Sequence, residues 1–199
     1  MSKLIILDWD DTLFPTSWTV MKDIDFTQNI IINKYKQYFK GLDNILYNFL
    51  SQCIMYGKVF IVTNAMTKWV YKSSELLAKS SELIADKITI ISARDIYQKK
   101  LPEQIDQWKI LVFKHIADKY TVINDMDHII SIGDAEYEFM ALLDLINHVN
   151  IKHKGYLKSI RLVKSPSFDT IVDQLYVLNE SINKICIQDK HMDLKFKNV

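Results

Sequence analysis

Five short apolar runs, spaced along the chain and separated by helical patterns, constrain the fold more than any other feature of this sequence. They are Lys3–Leu7, Lys58–Thr63, Lys87–Ser92, His128–Ile132 and Ser159–Val163. Their apolar residues are continuous rather than alternating, as strands covered on both faces require. Between them, Leu42, Ile45, Leu46, Phe49, Leu50 and Cys53 recur at helical spacing, with Gly57 as a stop. Thr67–Lys79, Pro102–Lys119, Ala135–Ile146 and Ser167–Ile187 are further helical stretches, the last entered through Ser165-Pro166-Ser167. The alternation predicts an α/β fold: a doubly wound, mostly parallel sheet of about five strands with helices on both faces. Residues 13–41 are left for a small helical insertion after the first strand, with one helix over Phe26–Phe39 and a loop. Residues 190–199 read as a mobile tail.

A chain of 199 residues suits one such domain, spanning 1–199. Four glycines and three prolines leave no room for a Gly- or Ser-rich linker, and no internal repeat is visible. The formal net charge of +1 argues against a global preference for nucleic acid or a membrane surface. Cys53 and Cys186 form no metal or redox motif, which fits a reducing compartment. The run Leu4–Leu7 and residues 28–32 are too short for a signal-peptide core or a membrane span. The expectation is a cytoplasmic or nuclear protein with no anchor of its own.

In open parallel sheets, ligands bind beyond the carboxyl ends of the strands. Asp8 and Asp10 follow the first run, Thr63 and Asn64 end the second, and Gly133-Asp134 ends the fourth. Three runs that stop on polar groups would bring those groups to one cleft. Taken singly, each has a plainer explanation: Asp and Thr satisfy loop amides, and Thr63-Asn64 suits a strand end and helix cap. The series as a whole points to chemistry.

Asp8-Trp9-Asp10-Asp11-Thr12 resembles the Asp-x-Asp-x-Thr motif of the haloacid-dehalogenase-like superfamily. Val62-Thr63-Asn64 resembles its second motif. Gly133-Asp134-Ala135-Glu136-Tyr137-Glu138 resembles the fourth, and Lys109 in Gln107-Trp108-Lys109 is the candidate for the single lysine of the third. The match covers residues 4–140. A narrower group of such proteins is similar in Asp8–Thr16, Thr63–Ala65, Ser92–Tyr97 and Trp108-Lys109.

The resemblance implies a Rossmann-like fold with no or minimal cap and a Mg²⁺-dependent phosphatase that works through an aspartyl-phosphate. Asp8 would be the nucleophile and Asp10 the acid and base on the leaving-group side. Acid at this second position distinguishes phosphatases and phosphomutases from the dehalogenases and transport ATPases. Thr63 and the amide of Asn64 would bind phosphoryl oxygens and Lys109 would offset their charge, with Thr12 and Arg94 near the substrate. Mg²⁺ would take Asp8, a backbone carbonyl of Asp10, and Asp134, while Glu138 would orient a metal-bound water or Lys109. Lys100 and Lys114 compete with Lys109, and Glu136 with Glu138. A phosphotransferase using the same intermediate, or a non-catalytic phosphate- or phosphoprotein-binding module, are the alternatives.

The substrate stays open: a small molecule, a phosphoprotein or a nucleic-acid end. An open cleft also leaves room for an oligomer or a partner to close it. Trp9, Phe14, Trp18 and Trp69 either line a ring-binding surface or serve the core, the commoner role. His115, His128, His148, His153 and His191 share no metal-ligand spacing. Lys152, Lys154, Lys158, Arg161 and Lys164, with Lys190, Lys195 and Lys197 in the tail, either attract a polyanion or form a solvated face.

Overall fold

The structure is a computed structural model and describes residues 3–124, 128–148 and 155–197. In chain order it runs β1 (Lys3–Leu7), α1 (Thr16–Met21), α2 (Asn29–Tyr56), β2 (Gly57–Thr63), α3 (Thr67–Ser74), α4 (Ala78–Lys87), β3 (Thr89–Ser92) and α5 (Ala93–Tyr97). Then follow α6 (Ile105–Asn124), β4 (His128–Gly133), α7 (Glu136–Asp144), a 3₁₀ turn at Leu145–Asn147, β5 (Tyr156–Arg161), α8 (Phe168–Ile187) and β6 (Met192–Lys195). The strands form one six-stranded sheet in the order β3-β2-β1-β4-β5-β6, and every neighbouring pair is parallel.

Each central strand is buried on both faces, which explains its unbroken apolar sequence. In β1, Ile5 and Leu7 join the core under α2 and α8, while Leu4 and Ile6 join the core under α6 and α7. The helical spacing supplies the facing stripes: Leu42, Leu46, Phe49 and Leu50 on α2, and Val112, Phe113 and Ile116 on α6. Fully burying one such side chain stabilises the fold by about 1.5–3 kcal/mol. Cys53 and Cys186 are free thiols within the first of these cores. No helix among the described residues is long and apolar enough to cross a membrane.

The sheet has six strands where the apolar runs indicate about five. The sixth lies within residues 190–199, expected as a mobile tail: Met192–Lys195 pairs with Lys158–Arg161 of β5. Arg161 clamps it, donating to both carboxylate oxygens of Asp193 at 3.0 and 2.6 Å. A four-residue edge strand carrying Asp193 and Lys195 shows little hydrophobic signal, since exposed edges are kept short and charged. Deleting residues 190–199 removes about two kcal/mol of ladder and side-chain hydrogen bonds and is expected to lower Tm by about 4–8 °C. A calorimetric scan checks this, because an unattached tail would leave Tm unchanged.

The insertion also differs from expectation. No separate helix covers Phe26–Phe39; α2 starts at Asn29 and continues unbroken through Gly41 to Tyr56. The segment before it holds only the six-residue α1 and its loops. Gly57 ends α2 in extended conformation rather than as a left-handed cap, and a Cβ there would run into the main chain of Lys3. The stretch Thr67–Lys79 is divided between α3 and α4 because Asp43 of α2 accepts from Lys79 N and Ser80 N, at 3.0 and 2.9 Å, and so caps α4 from outside. The strand expected over Lys87–Ser92 starts at Thr89, since α4 extends to Lys87.

Candidate active site

The sheet order reverses between β1 and β4, and at such a switch point the connections leave a crevice at the carboxyl edge. Asp8 leaves β1 there, its N–H donating to Ile132 O at 2.9 Å, and Asp134 leaves β4 beside it. Both line a cleft of about 530 Å³, together with Asp10, Asp11, Asn64, Arg94, Lys109 and Glu138.

The loop after Asp8 turns back at once. Leu13 N and Phe14 N both donate to Trp9 O, and Asp11 N donates to Phe14 O at 2.7 Å. Asp11 adopts a left-handed φ of 55°, which Asp tolerates better than most residues, and its carboxylate accepts from Ser17 N and Ser17 Oγ. Trp9 points away into the core, where its Nε1 donates to Ser73 Oγ at 2.9 Å. Phe14 stacks on Trp9 and Phe39, with ring centroids 5.7 and 6.0 Å apart, and Trp69 packs edge-on against it. The aromatics of this run therefore bolt the loop and α2 onto the sheet.

That packing aims Asp10 into the cleft between three donors. Its Oδ1 accepts from Thr16 Oγ1 at 2.6 Å and from Trp69 Nε1 at 2.7 Å, and its Oδ2 from Thr63 Oγ1 at 3.1 Å. Thr63 is fully buried and also accepts from Ala65 N at 2.9 Å, so its hydroxyl is turned to Asp10 and the loop. Thr12 is buried too, its hydroxyl without a partner among the described residues, and it does not line the cleft.

Lys109 is 2% exposed and reaches the cleft floor from the first turns of α6. Its ammonium donates to Asp8 Oδ1 at 2.5 Å and to Glu138 Oε1. Burial alone favours the neutral amine, but the Asp8 and Glu138 carboxylates outweigh it and hold Lys109 protonated well above the usual lysine range. Burial pushes the Asp8 carboxyl up, Lys109 pulls it down, and Glu138 and Asp10 push it up again. Neither rival lysine lines the cleft: Lys100 is exposed and Lys114 pairs with Asp144 at 2.7 Å.

Glu138 reaches this position because Gly133 has no side chain. A Cβ on Gly133 would lie 2.6 Å from Glu138 Oε2. That oxygen accepts from Ala135 N at 3.1 Å, so Glu138 caps α7 and orients Lys109 at once. Both its oxygens are occupied, which favours the lysine-orienting role over metal ligation. Glu136 faces away, 3.7 Å from Arg161.

Asn64 and Arg94 line the cleft with Asn64 Oδ1 and Arg94 Nε unpartnered among the described residues. Ser92 Oγ accepts from Asp95 N and donates to Ala65 O at 2.6 Å, while Asp95 accepts from Thr67 N at 3.0 Å. Ser92 and Asp95 thus tie α5, which carries Arg94, to the Asn64 loop.

The cleft carries five acids, Asp8, Asp10, Asp11, Asp134 and Glu138, against two bases, Lys109 and Arg94. Asp134 registers this excess: burial first, then Glu138 and Asp11, push its carboxyl up to about 7. Among the described residues, no three acidic, His or Cys side chains close into a metal cage. Mg²⁺, however, takes one or two carboxylates and keeps several waters, and Asp8 with Asp134 offers that donor set in an acid-rich cleft. The residues fit such an ion.

No sequence motif marks Thr16 or Ser17 individually, and the aromatic pattern places Trp69 mainly in the core. Thr16 and Ser17 each lie six residues after the acid they hold, a paired spacing that a tight loop would explain. Trp69 lies in the first turn of a helix after a strand's carboxyl end, where side chains face such clefts. Val20, 73% exposed, joins Met66 and Tyr137 at the rim. Comparison of the chain with protein-family models, with curated proteins and with solved structures found no match.

Proposed function

We propose that this chain is a Mg²⁺-dependent phosphatase of the haloacid-dehalogenase-like type, hydrolysing phosphate monoesters through an aspartyl-phosphate on Asp8. The observation that carries this reading is the pairing of two acids in different settings in one cleft. Asp8 is buried against Lys109, and Asp10, two residues on, is held by Thr16, Trp69 and Thr63. A nucleophile and an acid/base need that division of labour.

A phosphate dianion would be repelled by the five acids, and Lys109 and Arg94 alone do not balance them. Asp8 and Asp134 would hold the Mg²⁺, which supplies the missing positive charge. In the first step an Asp8 carboxylate oxygen bonds to phosphorus as the ester P–O bond breaks, and Asp10 gives its proton to the departing oxygen. In the second, Asp10 takes a proton from the water that attacks the acyl phosphate, freeing Asp8 and inorganic phosphate. Lys109 stays charged throughout, and Glu138 keeps its ammonium aimed at Asp8. The Thr63 hydroxyl serves Asp10 in both states, since it can donate to a carboxylate or accept from an acid.

Phosphate release from an aryl phosphate is expected to require Mg²⁺ and to stop on chelation. Asp10→Asn is expected to lower kcat by about 10²–10⁴-fold on an alkyl phosphate, whose leaving oxygen needs a proton. The loss on a nitrophenyl phosphate, whose leaving group needs none, should be smaller in the first step. Equal losses on both, with phosphoenzyme formation followed by rapid quench, would remove Asp10 from the leaving-group role.

A further inference from the structure

We propose that a basic pocket beside the catalytic cleft binds a second phosphate group of the substrate, so that preferred substrates carry two phosphates. This rests on the phosphatase reading above. The pocket encloses about 490 Å³ and is walled by Asp134 and Ala135, which also line the catalytic cleft. The two spaces therefore share that loop as a common wall.

The sheet explains why basic residues gather there. Gly133 pairs in register with Arg161, and Arg161 with Lys195, so the carboxyl ends of β4, β5 and β6 stand in a row. The chain beyond those ends supplies Asp134, then Lys164, then Lys197, all along the edge that carries Asp8.

The basic residues of the sequence fall into distinct roles. Lys152 and Lys154 lie outside the described residues, as does His153. Lys158 is fully buried and donates to Ile185 O and Gln188 O at 2.5 and 2.6 Å, closing the end of α8, so a solvated-face reading does not hold for it. Arg161 is engaged by Asp193, by Glu136 and by the Phe139 ring 4.1 Å below it. Lys164, Lys195 and Lys197 form no ion pair among the described residues, yet all three line the pocket. Asp134 and Glu136 also line the pocket, Glu136 beside Arg161, so the three exposed lysines set its excess of positive charge. Their point charges and mobile donors suit phosphate oxygens.

The test compares alkanol monophosphates with alkanediol bisphosphates from ethanediol to hexanediol, and with a terminally phosphorylated dinucleotide, under saturating Mg²⁺. For the chain length that spans the two sites, KM should be about tenfold lower than for the monophosphate. In the K164A/K195A/K197A variant that advantage should shrink to about twofold or less, with kcat/KM on acetyl phosphate unchanged. A lowered KM among the diols points to a small bisphosphate; one confined to the dinucleotide points to a nucleic-acid strand; either supports a second-phosphate site. Equal KM values across the series, or an advantage that survives in the triple variant, overturn it and leave a solvated lysine face. If the wild type hydrolyses nothing, acetyl phosphate included, the phosphatase reading has failed separately. Calorimetry then decides: hexanediol bisphosphate binding that the triple variant loses supports the pocket, and binding that is absent or unchanged overturns it.

Discussion

Lys109→Met is expected to lose phosphate release and a large share of stability together. It leaves two carboxylates, Asp8 and Glu138, buried at 6% and 4% exposure with their shared cation gone. Breaking a buried pair in this way costs about 3–5 kcal/mol, and in a domain of this size that lowers Tm by about 6–20 °C. The pH dependence has a definite sign. Asp8, already pushed up by burial and by Glu138, loses the lysine that pulls it down. A carboxyl with a raised folded-state pKa keeps its contribution at low pH and loses it as pH rises through that value. With a chelator present, the variant should therefore lie nearer the wild type at mildly acidic pH than at alkaline pH. Lys109→Met/Glu138→Gln should regain part of the Tm, since the side-chain amide introduced there can still accept from Ala135 N, but none of the turnover. If the double variant is no more stable than the single one, the orphaned carboxylates are not the cause.

Asp8→Asn is expected to lose turnover and keep stability. The amide cannot form the acyl phosphate, so phosphate release should fall by at least about 10⁴-fold. Stability should hold, because one carboxylate fewer shares Lys109 and the Lys109–Glu138 pair remains. A Tm within about 3 °C of wild type, with folded-state circular dichroism, separates lost chemistry from lost fold. Acid-quenched wild type should carry a labile phosphoryl group on the peptide containing Asp8, and the variant should not. Undiminished turnover in Asp8→Asn would end the proposal.

The two variants differ because the neighbours of Asp8 come from far along the chain. Lys109 is 101 residues away in sequence and Glu138 reaches Lys109 across 29. Motif order and the Trp108-Lys109 pair single out Lys109, with Lys100 and Lys114 as its rivals. What separates them is where α6 begins and which face it turns to β1, with Trp108 donating to Leu101 O at 2.8 Å to anchor that end. Glu138 was legible from helical phase, since it lies one turn beyond Asp134. Its work on Lys109 was legible only as one of two possibilities. The division between α3 and α4 could not be read locally, because the cap that starts α4 is Asp43 of another helix. β6 was missed for a related reason: its pairing lies in backbone hydrogen bonds to β5, which leave no mark on side-chain polarity.

The sequence by itself determined the parallel α/β architecture and the polar residues that close its strands, because two-sided burial demands unbroken apolar runs and the chain must turn where they stop. Tertiary structure decided the partners. It brought Asp8, Lys109 and Glu138 into one buried cluster, held Asp10 with Trp69 and Thr16, and set Lys164, Lys195 and Lys197 around a pocket next door. Periodicity reports which face an element buries; only the packed sheet determines what that face meets.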